Sequence, residues 1–199
     1  MRKREALLGS LIMVLVLSMA AYMVTADQAR SRATVANVSP KVVLVTLEDD
    51  VASPAGQIDL TEGTTKTVHC NAKVRDPNGW TDIVVANATI YDDSSSIGSA
   101  DDNNAHYTNS SCGISGTGVR AAVNCTFEVW YYANATTWTC NLRVADQAGL
   151  TENGTNTSVV QSLVALGMPP AIDFGTLQVG TPSAADISQN INNTGNQNI

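Results

Sequence analysis

Histidine, phenylalanine and basic charge are scarce in this chain of 199 residues. It holds two histidines and two phenylalanines, aromatics make up 5% and charged side chains only 15%. It contains no H-E-x-x-H metal motif, no G-x-S-x-G nucleophile elbow and no phosphate-cradling glycine loop. A nucleophile paired with a base cannot be assembled from these parts, so no catalytic residue is assigned and the chain is not expected to be an enzyme. His69 alternates outward beside Cys70, and His106 sits among Asp101, Asp102, Asn103 and Asn104, which read as a solvated acidic loop. Eleven basic against 18 acidic side chains leave a net charge of −7. Residues 1–26 hold three of the basic and one of the acidic side chains, so the remainder carries 8 against 17. Nucleic acid and anionic lipid both require a basic footprint, and this balance excludes them as main partners. The four cysteines include no C-x-x-C pair, which removes zinc and dithiol-redox spacings. Beyond residue 26 no helical period occurs.

What is present points outward. Met1-Arg2-Lys3-Arg4 precedes an uncharged run over residues 6–26, with Leu-Ile-Met-Val-Leu-Val-Leu at its heart. Positive charge ahead of an apolar run matches a secretory signal and an N-terminal anchor alike. Val24-Thr25-Ala26 resembles a cleavage site, yet 21 residues exceed the roughly 7–15 of a signal core and approach the ~20 that span a bilayer. Residues 1–26 are therefore expected to be a signal peptide or a membrane-anchoring helix, partnering the membrane through residues 6–26 if uncleaved. Residues 27–40 follow as a polar linker. Eight N-x-S/T sequons, at Asn37, Asn87, Asn109, Asn124, Asn134, Asn153, Asn156 and Asn192, indicate a glycosylated external surface. An even number of cysteines, all beyond the apolar run, indicates two disulfides in an oxidising compartment, with three connectivities open. The expected location is extracellular at the cell surface, secreted or anchored.

The rest of the chain reads as β-structure. Strands are expected over residues 41–47, 57–60, 65–75, 80–91, 125–132, 138–145 and 158–166, from period-2 alternation and β-branched or aromatic content. Asp76-Pro77-Asn78-Gly79 and Asp146-Gln147-Ala148-Gly149 are turns. A glycan on Asn87 must face solvent, and alternation then turns Trp80, Val84, Ala86, Ala88 and Ile90 inward. Asn124 does the same for Cys125, Phe127, Val129 and Tyr131, leaving Trp130 and Tyr132 outside. On the next strand Trp138, Cys140, Leu142 and Val144 face inward. Residues 92–118 form a polar insertion, too long for a hairpin turn and too polar for core. Many short strands with turns between them indicate an all-β sandwich.

V-R-D-P-N-G-W-T-D-I at 74–83, W-Y-Y-A…W-T-C-N-L-R-V-A-D-Q-A-G-L within 130–150 and A-I-D-F-G-T-L-Q-V-G at 171–180 carry a resemblance. The chain resembles the immunoglobulin-like modules of prokaryotic surface proteins, archaeal ones most closely. The resemblance covers most of residues 41–166 and implies an immunoglobulin-like sandwich after the N-terminal hydrophobic helix. In such domains a cross-sheet disulfide lies against a tryptophan, which implies Cys70–Cys140 beside Trp80 and leaves Cys112–Cys125 to clip the insertion. Residues 167–199 then read as a linker and the opening strands of a second, incomplete β-domain. This makes the chain a piece of a longer protein or a donor of strands to a neighbouring molecule.

No motif demands a cofactor. Calcium is the one candidate, because Asp76, Asn78, Asp82 and Asp146 offer oxygen ligands of the kind a hard cation takes, although a plain type I turn also accounts for Asp76 and Gly79. Trp130 and Tyr132 are candidate contacts for a sugar ring or a partner protein. The expected role is structural or adhesive, within a glycosylated cell-surface protein whose partners are envelope proteins or surface glycans. The alternatives are a ligand-binding ectodomain for polysaccharide or protein, and a filament subunit assembling by strand exchange.

Overall fold

Apolar side chains on alternate residues build two packed β-sheets. The computed structural model describes residues 13, 36–50, 56–180, 182 and 186–198. Apart from Met13, the signal or anchor over 1–26 and the linker as far as residue 35 lie outside the described residues. Among the described residues no helix is long and apolar enough to cross a membrane. The elements are β1 (Lys41–Glu48), β2 (Gln57–Ile58), β3 (Thr65–Arg75), a 3-10 turn (Trp80–Asp82), β4 (Ile83–Asp92), β5 (His106–Asn109), β6 (Gly113–Thr117), β7 (Arg120–Trp130), β8 (Thr137–Asp146), β9 (Thr151–Val160), β10 (Leu166–Gly167) and β11 (Asn192–Asn193). One sheet has the order β1-β3-β7-β6 and the other β2-β9-β8-β4-β5, while β10 and β11 pair separately. All pairings are antiparallel except β2 with β9.

β7 shows the logic most plainly: burial alternates along all eleven residues, with Ala121, Val123, Cys125, Phe127 and Val129 inside. β3 contributes Val68, Cys70, Ala72 and Val74, and β8 contributes Trp138, Cys140, Leu142 and Val144. Trp138 is the largest fully buried side chain, and its indole Nε1 donates to the Asn134 carbonyl at 2.9 Å, so the ring is buried without stranding a donor. Cys70 on β3 is bonded to Cys140 on β8, joining the two sheets, with Cα atoms 6.3 Å apart. Cys112 is bonded to Cys125, and Cys125 stands directly opposite Cys70 in the β3–β7 register. The four cysteines thus make one layer. Gly154 lets β9 approach β1, since a Cβ there would lie 2.5 Å from Val42 Cγ1 and 2.7 Å from Val45 Cγ2.

Several expectations are corrected. Trp80 does not begin a strand; it lies half-buried in the 3-10 turn, over Gly116 of β6, where any Cβ would meet the indole. A register shift between Ile83 and Val85 then breaks the alternation, so Ile83 faces inward while Val84 is 53% exposed. Tyr131 is not inside either, because β7 ends at Trp130 and Ala133 takes the buried position in the following turn. The polar insertion carries two strands on different sheets: β5 pairs with β4, β6 pairs with β7, and the chain changes sheet at Cys112. The polar residues 151–157 belong to β9, which pairs with β8 along nine positions. Residues 171–180 carry no strand. Further on, the Thr194 and Asn196 amides donate to the Ala165 and Leu163 carbonyls at 3.0 Å each.

The two disulfides are expected to differ in worth. Replacing Cys70 and Cys140 together with alanine should cost about 4–5 kcal/mol in urea unfolding, and replacing Cys112 with Cys125 about 3 kcal/mol, because the first closes the much longer loop. Equal losses, or a larger one for the second pair, would contradict this.

Candidate functional site

Three acidic side chains meet at one end of the sandwich. Asp76 and Asp146 each open a D-x-x-G turn closed by the glycine N–H, and each carboxylate accepts a further backbone N–H, two residues on for Asp76 and four for Asp146. Gly79 N–H donates to the Asp76 carbonyl at 3.1 Å and Asn78 N–H to Asp76 Oδ1 at 2.8 Å. Gly149 N–H donates to the Asp146 carbonyl at 3.0 Å and Leu150 N–H to Asp146 Oδ1 at 2.8 Å. Aspartate suits the first place because its carboxylate captures the backbone N–H two residues on. Asp82 ends the 3-10 turn, and its carbonyl accepts Gln147 N–H at 2.9 Å, which ties the two turns together.

One carboxylate oxygen from each of Asp76, Asp82 and Asp146 lies within 4.8 Å of the other two. Asp76 is wholly buried and Asp146 2% exposed. Burial pushes the Asp76 carboxyl upward, its bond from Asn78 N–H pulls it down, and the charges of Asp82 and Asp146 raise it further. Among the described residues no lysine or arginine forms an ion pair with any of the three. They are the residues that could hold a metal. Asn78, grouped with them from the sequence, turns its Oδ1 to Val38 N–H at 2.8 Å. Asn37 Nδ2 donates to Asp146 Oδ2 at 2.7 Å, so residues 37–38 strap across the acidic end.

A second cluster lies where β7 ends. Trp130 and Tyr132 stack at 5.7 Å between centroids and 16° between planes, and Tyr131 meets Tyr132 edge-on at 5.0 Å. Trp130 remains 37% exposed. A polar groove of about 380 Å³, lined by Asp101, Asn103, Tyr107, Asn109 and Glu128 among others, opens alongside. Its Tyr107 hydroxyl accepts Trp130 N–H at 3.0 Å and donates to the Asn103 carbonyl at 2.6 Å, while Asn103 Nδ2 donates to the Tyr132 hydroxyl at 3.3 Å. Burial raises the Tyr107 phenol to about 12, although the Trp130 N–H opposes the rise.

His106, read from the sequence as part of a solvated loop, is 1% exposed. The Asp102 and His106 backbones bond each other at 2.9 and 2.7 Å, closing a tight loop. This folds the imidazole onto Tyr91 at 6.3 Å, with Nδ1 sharing a hydrogen bond with Asp101 Oδ1 at 2.9 Å.

None of the sequon asparagines is buried: Asn37, Asn124, Asn134, Asn153, Asn156 and Asn192 are exposed, and Asn87 and Asn109 half-exposed. Their amide nitrogens differ in engagement. Asn109 Nδ2 donates to the Thr126 carbonyl, Asn124 Nδ2 to Asn71 Oδ1 and Asn134 Nδ2 to Asp92 Oδ2, at 3.0, 2.6 and 2.7 Å. Two disulfides together with this surface fit an oxidising, extracellular environment.

No protein-family model matches this sequence, and no curated protein matches it.

Tyr107 supplies a pH prediction. Its folded value lies above the ordinary one, so the stability it lends is complete below pH 10 and is lost as the pH rises through about 12. Wild type should lose more stability than Tyr107→Phe between pH 10 and 12 in urea melts. Parallel curves would show that this hydroxyl is not held neutral by the fold.

Proposed function

We propose that this chain is a structural or adhesive module of a cell-envelope protein, a stiff glycosylated spacer resembling the immunoglobulin-like modules of prokaryotic, above all archaeal, surface proteins. The observation that carries this is the placement of the eight sequons, none of them buried, although Asn87 and Asn124 sit on strands that bury every second residue. The cross-sheet disulfide would keep such a sandwich folded without a reducing, chaperoned interior. Glycans at Asn153 and Asn156 would cover β9, whose outer neighbour β2 is only two residues long, and so shield an edge from pairing with other chains. On intact native cells the protein should be cut by an added protease that does not cross membranes, and its peptides should carry sugar at several sequons. Unmodified asparagine at all eight positions, or protection until the cells are lysed, would contradict this role.

A second reading, glycan recognition, rests on the aromatic stack beside the polar groove, since sugar rings pair an apolar face with hydroxyls that such a groove can bond. Trp130→Ala should then abolish binding on a glycan array while the melting curve stays within a degree or two of wild type. Wild type that binds no glycan, or a variant that binds as well, would leave the stack a packing feature only.

A further inference from the structure

Buried acids in this chain are normally provided for. Asp92 Oδ1 accepts the amide and hydroxyl of Ser94, and its Oδ2 accepts Asn134 Nδ2. Asp49 Oδ1 accepts Asp50 N–H, and its Oδ2 accepts Asp59 N–H with Lys66 Nζ 3.5 Å away. Asp76 and Asp82 break this pattern. Asp76 is wholly buried, and its Oδ2 has no hydrogen-bond partner among the described residues; Asp82 Oδ2 is likewise buried and unpartnered among them. Both belong to the group whose oxygens lie within 4.8 Å of one another. A buried carboxylate oxygen with nothing to bond costs a few kcal/mol, and buried charges are otherwise paired or given to a metal.

We infer that Asp76, Asp82 and Asp146 form a binding site for a hard divalent cation of calcium's size. Three oxygens within 4.8 Å of one another share a point no more than about 2.8 Å from each, so a shift of a few tenths of an ångström brings all three to the 2.3–2.6 Å that calcium takes, and the group holds no sulfur or imidazole ligand to favour zinc. Magnesium, which demands near-octahedral ligands at about 2.0–2.1 Å and gives up water reluctantly, fits less well. The ion satisfies the orphaned oxygens and cancels the repulsion of three carboxylates.

The location gives the ion a task. Asp76 follows β3 of one sheet, whereas Asp82 precedes β4 and Asp146 ends β8, both of the other. The cation is therefore a second cross-sheet tie. Through Asp146, which holds Asn37, and the Asp76 turn, whose Asn78 holds Val38, it also fixes the strap on the sandwich. The site uses none of the residues on which the spacer or glycan readings rest, Asn37 apart, so it stands or falls separately from them.

The test uses the full oxidised chain stripped with EGTA. Calcium chloride titrated calorimetrically should bind at one site, with a dissociation constant on the order of 10⁻⁴–10⁻³ M, the range of extracellular modules. Saturating calcium should raise Tm by several degrees and slow hydrogen exchange at the Val38 amide. Magnesium chloride at the same concentration should do much less. Asp82→Asn should abolish the heat and the calcium-dependent rise, while melting in EGTA at or above wild type because one repelling charge is gone. Asp146→Asn, if Asp82→Asn does not fold, should lose the calcium response in the same way. Absence of heat and of any Tm change in wild type would overturn the site. So would an undiminished response in the folded variant, or equal shifts from magnesium or from sodium chloride of matched ionic strength, which would mean simple screening of an acidic surface.

Discussion

Everything in this fold depends on how β3 is bound to β8. Those two strands lie in different sheets, and the Cys70–Cys140 bond between them passes through the centre of the core. Cys125 faces Cys70 across the β3–β7 ladder, and through Cys112 it anchors the point where the chain changes sheet. These two bonds, buried at Cys70, Cys125 and Cys140 and part-buried at Cys112, fix the separation of the sheets, the register of β7 and the position of the crossing. Trp138, two residues before Cys140 on the same inner face of β8, is the largest fully buried side chain among the described residues.

The same staple explains the acidic end. Asp76 lies six residues beyond Cys70, and Asp146 six residues beyond Cys140. Two strands tied at one point and followed for equal distances, about 20 Å at 3.3 Å per residue, deliver their following turns to the same end of the sandwich. The carboxylates meet because the cysteines do. Asp82 joins them through the short 3-10 turn, and the proposed cation would make that end a tie between sheets as the disulfide is at the centre. The strap over residues 37–38 then takes its hold from side chains that the site has already placed.

Legibility in the sequence followed burial. The inner faces of β3 and β8, and that of β7 from Cys125 to Val129, could be read residue by residue, because each buries one side and exposes the other. β5, β6 and most of β9 could not, because their residues are polar and held by backbone pairing, which leaves no apolar rhythm. Val84 was misplaced by a bulge that alternation cannot foresee, and Trp80 by a 3-10 turn that follows directly on the D-P-N-G turn. His106 looked solvated from its neighbours, but a backbone loop closed by Asp102 turns it inward. For the acidic group the turns marked Asp76, Asp82 and Asp146. The equal spacing from two cysteines was the signal that would have brought them together, and it became informative only with the pairing known. Nothing local to Asn78 distinguishes a ligand from a side chain that clasps Val38.

Peptide mapping of the unreduced protein tests the central claim most directly, since the two sheets, the crossing and the convergence of the acidic turns all follow from which cysteines are joined. Digestion under conditions that prevent thiol exchange should release the Cys70 peptide linked to the Cys140 peptide, and Cys112 linked to Cys125. Cys70 and Cys125 are cross-strand neighbours, so the competing arrangement is physically close at hand. A Cys70–Cys125 or a Cys70–Cys112 linkage in the native protein would contradict the account.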